Sequence, residues 1–233
     1  MSEPDHPEIY RSQAEQYEAL VSREDYRGNL LPAIQAILPL EGIDVVELGA
    51  GTGRLTCLLA PLVRSIQAFD ISPHMLEVAA GKLQASGLHN WQTGVNDHRQ
   101  IPLGAGVADL VISGWSVCYI VVDHPDTWQV ELGKVLSEVK RLLKPGGSLL
   151  LIETLGTGFE SPHPPQHLLE YYAWLKEQGF QQSWIRTDYR FESLEKAQEL
   201  ARFFFGEEML AKIVESDGVI TLPECTGLWW LKP

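Results

Sequence analysis

A chain of 233 residues, 45% hydrophobic and 21% charged, has the composition of a folded globular protein and the length to bury a full core. Its 31 acidic against 18 basic side chains leave a formal charge of −13 with no Lys/Arg cluster to offset it. Such a surface repels phosphate backbones and excludes nucleic acid as an expected partner.

The first forty residues read as helix, an aromatic and charged run Ile9–Leu20 followed by Tyr26–Leu38, closed by Pro39 and Gly42. Apolar, β-branched runs then alternate with helical patterns, the signature of βαβ units. Strands are expected at Asp44–Leu48, Ser65–Asp70, Asn90–Gly94, Ala108–Ser113 and Ser148–Glu153, and helices at Arg54–Ala60, Pro73–Ser86 and Trp128–Leu143. Ser72 before Pro73 is a helix opening, since the hydroxyl caps a free N–H and proline fits the first turn. Lys144-Pro145-Gly146-Gly147 is a stop, because neither proline nor paired glycines continue a helix. Strands this uniformly apolar call for cover on both faces, hence a largely parallel sheet. Past Glu153, Gly156–Pro165 reads as a loop, His167–Gln178 as a helix ended by Gly179, and Gln182–Asp188 as a strand. Ser193–Phe205 and Glu207–Val214 read as a helical insertion, and Thr226–Lys232 as a last strand.

No window reaches the roughly eighteen consecutive apolar residues of a membrane helix, and Met1–Pro7 is too polar and acidic for a secretory signal. Cys57, Cys118 and Cys225 stand far apart among apolar neighbours, with no CxxC or Cys/His pair. Free thiols, no metal site and a cytoplasmic location are therefore expected.

The strongest chemical signal is Val45-Val46-Glu47-Leu48-Gly49-Ala50-Gly51-Thr52-Gly53, a strand running into alternate glycines and then a helix. Glycines allow a tight turn and close approach of a ligand, and the following helix presents free N–H groups to its polar end. Asp70 ends the next strand, 17 residues beyond Gly53, where a carboxylate can accept both hydroxyls of a ribose. Capping the next helix is the alternative role for Asp70, but Ser72 already supplies that cap.

Five segments then occur in order: Glu47–Gly53, Asp70-Ile71-Ser72-Pro73-His74-Met75-Leu76, Asp97-His98-Arg99-Gln100-Ile101-Pro102-Leu103, Ala108–Ser113 and Leu142-Leu143-Lys144-Pro145-Gly146-Gly147. Together they resemble the class I S-adenosylmethionine-dependent methyltransferases, specifically the type 11 or ubiquinone/menaquinone-methyltransferase-like group, over about half of the chain (Gly42–Glu153). The resemblance implies a Rossmann-like α/β/α sandwich whose seven-stranded, mostly parallel sheet has an antiparallel last strand. It also implies an N-terminal helical lid (1–41) ahead of a methyltransferase domain (42–233) carrying the insertion at about 193–216. Carried over by position, Gly49, Gly51 and Gly53, with Glu47 and Ala50 in the same turn, would flank the methionine part of S-adenosylmethionine. Asp70 would hold the ribose, with Ile71 against the adenine and Met75 nearby. Asp97 would accept from the adenine amino group and the His98 backbone would meet a ring nitrogen. Ser113 and Gly114 would border the sulfonium. Asp109 matches a position that is structural in the group. The product would be S-adenosylhomocysteine.

Methyl transfer from a sulfonium is a direct displacement that depends on alignment, so no catalytic acid or base is assigned. The acceptor is expected to be a small molecule. Its candidate contacts are Tyr17, Trp115, Tyr119 and His124, with Tyr10, Arg23 and Tyr189 in segments able to fold over the same place. Tyr10 and Tyr17 are seven apart, a spacing that more often means packing along one helical face than a place in a site. Phe203-Phe204-Phe205 could line an apolar pocket or pack a dimer, which leaves monomer and homodimer both open. Two other readings stand beside the enzyme. One is a non-catalytic protein that binds S-adenosylmethionine or a partner on the same fold. The other is an NAD-dependent oxidoreductase, weakened by Arg54 at the place of a GxGxxG motif's third glycine.

Overall fold

The computed structural model describes residues 4–232. The polar, acidic start at Met1–Glu3 and the terminal Pro233 lie outside the described residues, as do those ends of the expected lid and domain. Seven strands form the main sheet: β1 (Asp44–Leu48), β2 (Ser65–Asp70), β3 (Trp91–Val95), β4 (Ala108–Gly114), β5 (Leu143–Thr157), β6 (Gln181–Arg186) and β10 (Glu224–Leu231). Their order across it is β3-β2-β1-β4-β5-β10-β6. All neighbouring pairs from β3 to β5 are parallel, while β10 runs antiparallel to both β5 and β6. The Trp229–Trp230 terminus is thus the antiparallel strand that the resemblance implies.

Helices α3 (Leu30–Ile37), α4 (Arg54–Leu59) and α5 (Pro73–Ala85) cover one face of the sheet. α6 (Tyr119–Asp123), α7 (Trp128–Leu142) and α8 (Leu169–Glu177) cover the other. Helix α7 shows why the pattern is readable. Trp128, Leu132, Val135, Val139 and Leu142 recur at helical spacing and are all buried against the sheet, each such side chain contributing about 1.5–3 kcal/mol of transfer free energy. Helix α5 opens as expected, with Ser72 extended (φ −94°, ψ 110°), its Oγ accepting from the Met75 N–H at 3.3 Å and Pro73 following. Lys144–Gly147 ends α7 at Leu142, but the chain does not leave the sheet there. Leu143 pairs with Ala108 and Ser148 with Leu110, so the proline and glycines form a bulge within β5. At the opposite edge from the glycine turn, Asp109 accepts from the Asp44 N–H (2.8 Å) and from Lys144 Nζ (2.8 Å), tying β1 to β4 and β5.

The two ends of the chain depart from the expected layout. The helical start is broken at Gln13 (φ −128°, ψ 37°) into α1 (His6–Ser12) and α2 (Ala14–Val21). The insertion is helical only in part. Helix α9 (Leu194–Phe205) and a 3-10 stretch (Glu207–Lys212) pack with a three-stranded antiparallel sheet of β7 (Tyr189–Phe191), β9 (Val219–Leu222) and β8 (Val214–Ser216). Strands of three or four residues leave too short a period to read, but Asp217-Gly218, both at positive φ (52° and 74°), is the two-residue hairpin signal. Leu20 of α2 sits in one core with Tyr189, Phe191, Leu200 and Leu222. The N-terminal helices and the late insertion therefore form a single cap, joined by burial across almost the whole length of the sequence. No helix among the described residues is long and apolar enough to cross a membrane, and Cys57, Cys118 and Cys225 are free thiols.

Candidate functional site

The glycine turn and Asp70 meet at the carboxyl ends of β1 and β2. Leu48 pairs with Phe69; the next two amides, of Gly49 and Ala50, both donate to Phe69 O (2.7 and 2.9 Å). The turn this creates presents the Gly51 N–H to Asp70 Oδ2 at 2.8 Å, while Asp70 Oδ1 accepts from Ser72 N–H at 2.8 Å. Gly49, Gly51 and Gly53 have φ of +73°, +54° and +80°, the left-handed region that favours glycine. Their surroundings differ. A Cβ on Gly53 would lie 2.8 Å from the Ala79 methyl of α5, so this glycine serves helix–helix approach. A Cβ on Gly51 would meet nothing within 4 Å. The bare face of Gly49 is covered by the Ser116 side chain, with His98 Nε2 beside it. Of the three, Gly51 is the one whose open face borders free space next to a carboxylate.

The remaining residues expected near a cofactor fall into three groups. Ile71 stands 72% exposed directly after Asp70, an aliphatic side chain left bare beside the turn. Ser113 and Gly114 end β4 next to Leu48, and Ser113 Oγ is buried without a hydrogen-bond partner. Third, several are engaged elsewhere. Glu47 is buried behind the turn, where its Oε2 accepts from Thr56 Oγ1 (2.6 Å) and burial pushes its carboxyl up to about 8. Met75 is buried on the inner face of α5, and Ala50 packs with Ala68 and Leu76. Both Asp97 oxygens bond the Arg99 guanidinium (2.7 and 2.5 Å), which with Arg99's backbone N–H holds its carboxyl down to about 2. The His98 ring reaches across to Ser116 Oγ (3.3 Å), and burial lowers its imidazole below the usual range, with Asp70 and Asp97 opposing.

The cap closes over the same edge. Ser72 Oγ donates to Tyr10 O (2.7 Å), the Tyr10 and Tyr119 hydroxyls share a hydrogen bond (2.5 Å), and Tyr17 packs edge-on against Tyr10. Tyr17 lies on α2. The charges of Glu24, Arg54 and Asp70 all act on its hydroxyl, which burial raises well above its ordinary value. Trp115, at φ +50°, stacks on Arg54 with the guanidinium carbon 4.3 Å from the ring centre. His124 lies at the far end of α6, where its N–H closes the helix on Ile120 O (3.0 Å). Arg23 is turned outward to Glu192 (2.7 Å). Tyr189 points inward and donates to Glu24 Oε2 (2.9 Å).

That last contact belongs to a buried polar cluster that the sequence does not announce. Arg54 Nη1 donates to Glu24 Oε2 (2.5 Å), Thr187 Oγ1 donates to Glu24 Oε1 (3.0 Å), and Thr187 and Thr226 share a hydrogen bond (2.5 Å). Nearby, Thr154 Oγ1 donates to Glu224 Oε1 (2.7 Å). Its members come from the helical start, the first βα turn, the insertion's border and the last strand. Only Arg54 carries a local sign, as the charged residue that ends a glycine motif.

Strand order, an antiparallel β10 and a glycine turn joined to an acid on β2 define a Rossmann-like fold of the kind found in S-adenosylmethionine-dependent methyltransferases. Residues 46–151 match the family described as a methyltransferase domain. An uncharacterized protein of Escherichia coli K12 is 34% identical over 110 residues, which cover 47% of this chain and 49% of that protein. A demethylmenaquinone methyltransferase of Lactococcus lactis is 29% identical over 153 residues, 63% of this chain and 57% of that one. The chain thus spans about half the length of the curated relatives it matches. A Haemonchus contortus phosphoethanolamine N-methyltransferase, solved with phosphomonomethylethanolamine and S-adenosylhomocysteine, superposes with a TM-score of 0.61 at 16% identity. That likeness covers 97% of this chain and 60% of that one, and shows the fold alone.

Proposed function

We propose that this chain binds S-adenosylmethionine at the β1–β2 edge and transfers its methyl group to a small-molecule acceptor held under the cap. The observation that carries this reading is the Gly51–Asp70 hydrogen bond, which sets a carboxylate against a backbone turn with open space over Gly51. A nucleoside joined to an amino acid fits that pairing. Asp70 accepts from the ribose hydroxyls with the lone pairs its two backbone donors leave free, and exposed Ile71 lies against the adenine. The methionine part passes over Gly51 toward Ser113, whose buried, unpartnered hydroxyl supplies a polar contact. Gly49 shapes the turn beneath Ser116 and His98, and Gly53 fixes helix packing. Asp97 orders its loop through Arg99, and the backbone of that loop at His98 faces the base. When bound, the sulfonium supplies an activated methyl group. The protein's part is to orient the acceptor in line and exclude water, for which Tyr10, Tyr17 and Tyr119 form the cover.

Calorimetry with S-adenosylhomocysteine tests the reading. Asp70→Ala removes hydrogen bonds to a charged acceptor, worth about 1.5–3 kcal/mol, so affinity falls more than tenfold while the fold survives. Unchanged affinity would remove the ribose assignment. Tight binding of NAD, with none of S-adenosylhomocysteine, would favour a hydride enzyme instead.

A further inference from the structure

Helices α7 and α8 lie side by side over the sheet, where Trp128 and Trp174 meet edge to face (ring centres 6.0 Å apart, planes at 79°). Over that contact runs an open groove of about 220 Å³, lined by the two indoles, by Gln129 of α7 and by Glu170, Ala173 and Glu177 of α8. A groove that is open, and smaller than the roughly 300–1,000 Å³ of an enclosing ligand pocket, suits side chains laid in from outside.

Its chemistry is one-sided. Glu170 and Glu177 are exposed, and no lysine or arginine lines the groove. Lys134, farther along α7, is taken by Glu131 at 2.6 Å, and Lys176 stands about 200° around α8 from Trp174, on its other side. Three apolar features go unused by the chain itself. Val130 and Leu169, next in sequence to Gln129 and Glu170, are 62% and 48% exposed. Gly133 lies one turn beyond Gln129 on the same side of α7, and a Cβ there would meet nothing within 4 Å. No internal contact calls for glycine at this place, where it weakens the helix relative to alanine. What the bare backbone permits is the close approach of another helix.

The spacing on α8 says what such a helix carries. Glu170 and Glu177 are two turns apart, about 10 Å along the axis, with Trp174 between them. Cationic side chains two turns apart meet both carboxylates, while their alkyl stems and the aliphatic residues between them cover the indoles.

We propose that the α7–α8 groove docks a basic amphipathic helix of a partner protein, its cations on Glu170 and Glu177 and its apolar stripe on Trp128 and Trp174. This inference is independent of the methyl-transfer reading. The formal charge of −13 draws any basic segment toward the molecule; the order acid, indole, acid selects the one that is held.

The test titrates the full chain with a labelled helical peptide of about four turns, followed by fluorescence anisotropy. The peptide carries two lysines two turns apart and leucines between them on the same face. A scrambled peptide of identical composition and charge reports the general attraction of an acidic protein. The ordered peptide is expected to bind at least ten times more tightly than the scrambled one. Trp174→Ala, and Glu170→Gln combined with Glu177→Gln, are each expected to erase that preference. Gly133→Gln, which favours the helix and fills the groove, is expected to do the same with circular dichroism unchanged. Binding of neither peptide, equal binding of both, or a preference that survives these variants overturns the proposal. So does self-association of the chain that Gly133→Gln abolishes in sedimentation, which would make a second copy the occupant. The paired peptides on the unaltered chain decide even if a variant does not fold. Failure of S-adenosylhomocysteine to bind would remove the methyl-transfer reading and leave this one standing.

Discussion

The two halves of the sheet's carboxyl edge are built in opposite ways. At β1 and β2 the candidate site is assembled from short stretches of chain by backbone geometry: a turn at 49–53, an acid at 70, and amides that bond both. At β4, β5 and β10 it is assembled by side chains from residues 24, 54, 154, 187 and 224, brought together only because the cap folds back on the sheet. The first half tolerates little change in backbone conformation. The second tolerates little change in charge.

The sharpest way to break this comparison is Glu24→Ala. Both Glu24 and Arg54 are largely buried, with side chains 3% and 19% exposed, and removing one partner of a buried pair strands the other at a cost of about 3–5 kcal/mol. Denaturant unfolding should show that loss, and a shift below about 1 kcal/mol would mean that the pair does not hold the cap to the sheet. Next comes Gly53→Ala, which combines a left-handed residue with a methyl driven against Ala79. It should destabilise by about 1–3 kcal/mol. Gly51→Ala meets no neighbour and should cost only about 1–2 kcal/mol, yet it should weaken S-adenosylhomocysteine binding more than Gly53→Ala does. If the two variants lose affinity equally, Gly51 does not border the ligand.

The smallest effect per step is a pH dependence. Glu47 and Glu153 are buried, and burial raises their carboxyl groups from 4.5 to about 8 and about 7. Above 4.5 the folded state holds protons that the unfolded chain has released. The stability these groups contribute is therefore complete below that value and declines as pH rises toward 7 for Glu153 and 8 for Glu47. The slope is at most about 1.4 kcal/mol per pH unit for each group. Melting temperature should fall between pH 5 and 8, and Glu47→Gln should flatten the decline. A melting temperature that rises across this interval would show that both groups are ionised in the fold.

Much of the first half is legible in the amino-acid sequence. β1, β2, α5 and α7 lie within a residue or two of their expected limits, because apolar periodicity, a serine cap and a proline at the first turn act within a few residues of chain. Proximity of the glycine turn and Asp70 also follows from a parallel βαβ unit, which places successive strand tips side by side. The details within it are not readable. Whether a glycine faces a ligand, a helix or Ser116 depends on what packs above it, and Asp97 is taken by Arg99 through a local side-chain choice that spacing does not reveal. In the second half, short strands hide the small sheet although Asp217-Gly218 marks its hairpin. Glu24 looks like one more surface acid in a strongly acidic chain.

Local propensity and hydrophobic period thus determined the alternating framework, its parallel sheet and the turn that faces the carboxylate, since each arises from neighbours in sequence. Only tertiary structure decided that the first helices and the late insertion make one cap, and that Arg54 is enclosed with Glu24 while Glu224 keeps an oxygen without a partner. The reason is that burial and charge pairing depend on distance in space, and between residues 24 and 224 the chain itself imposes none.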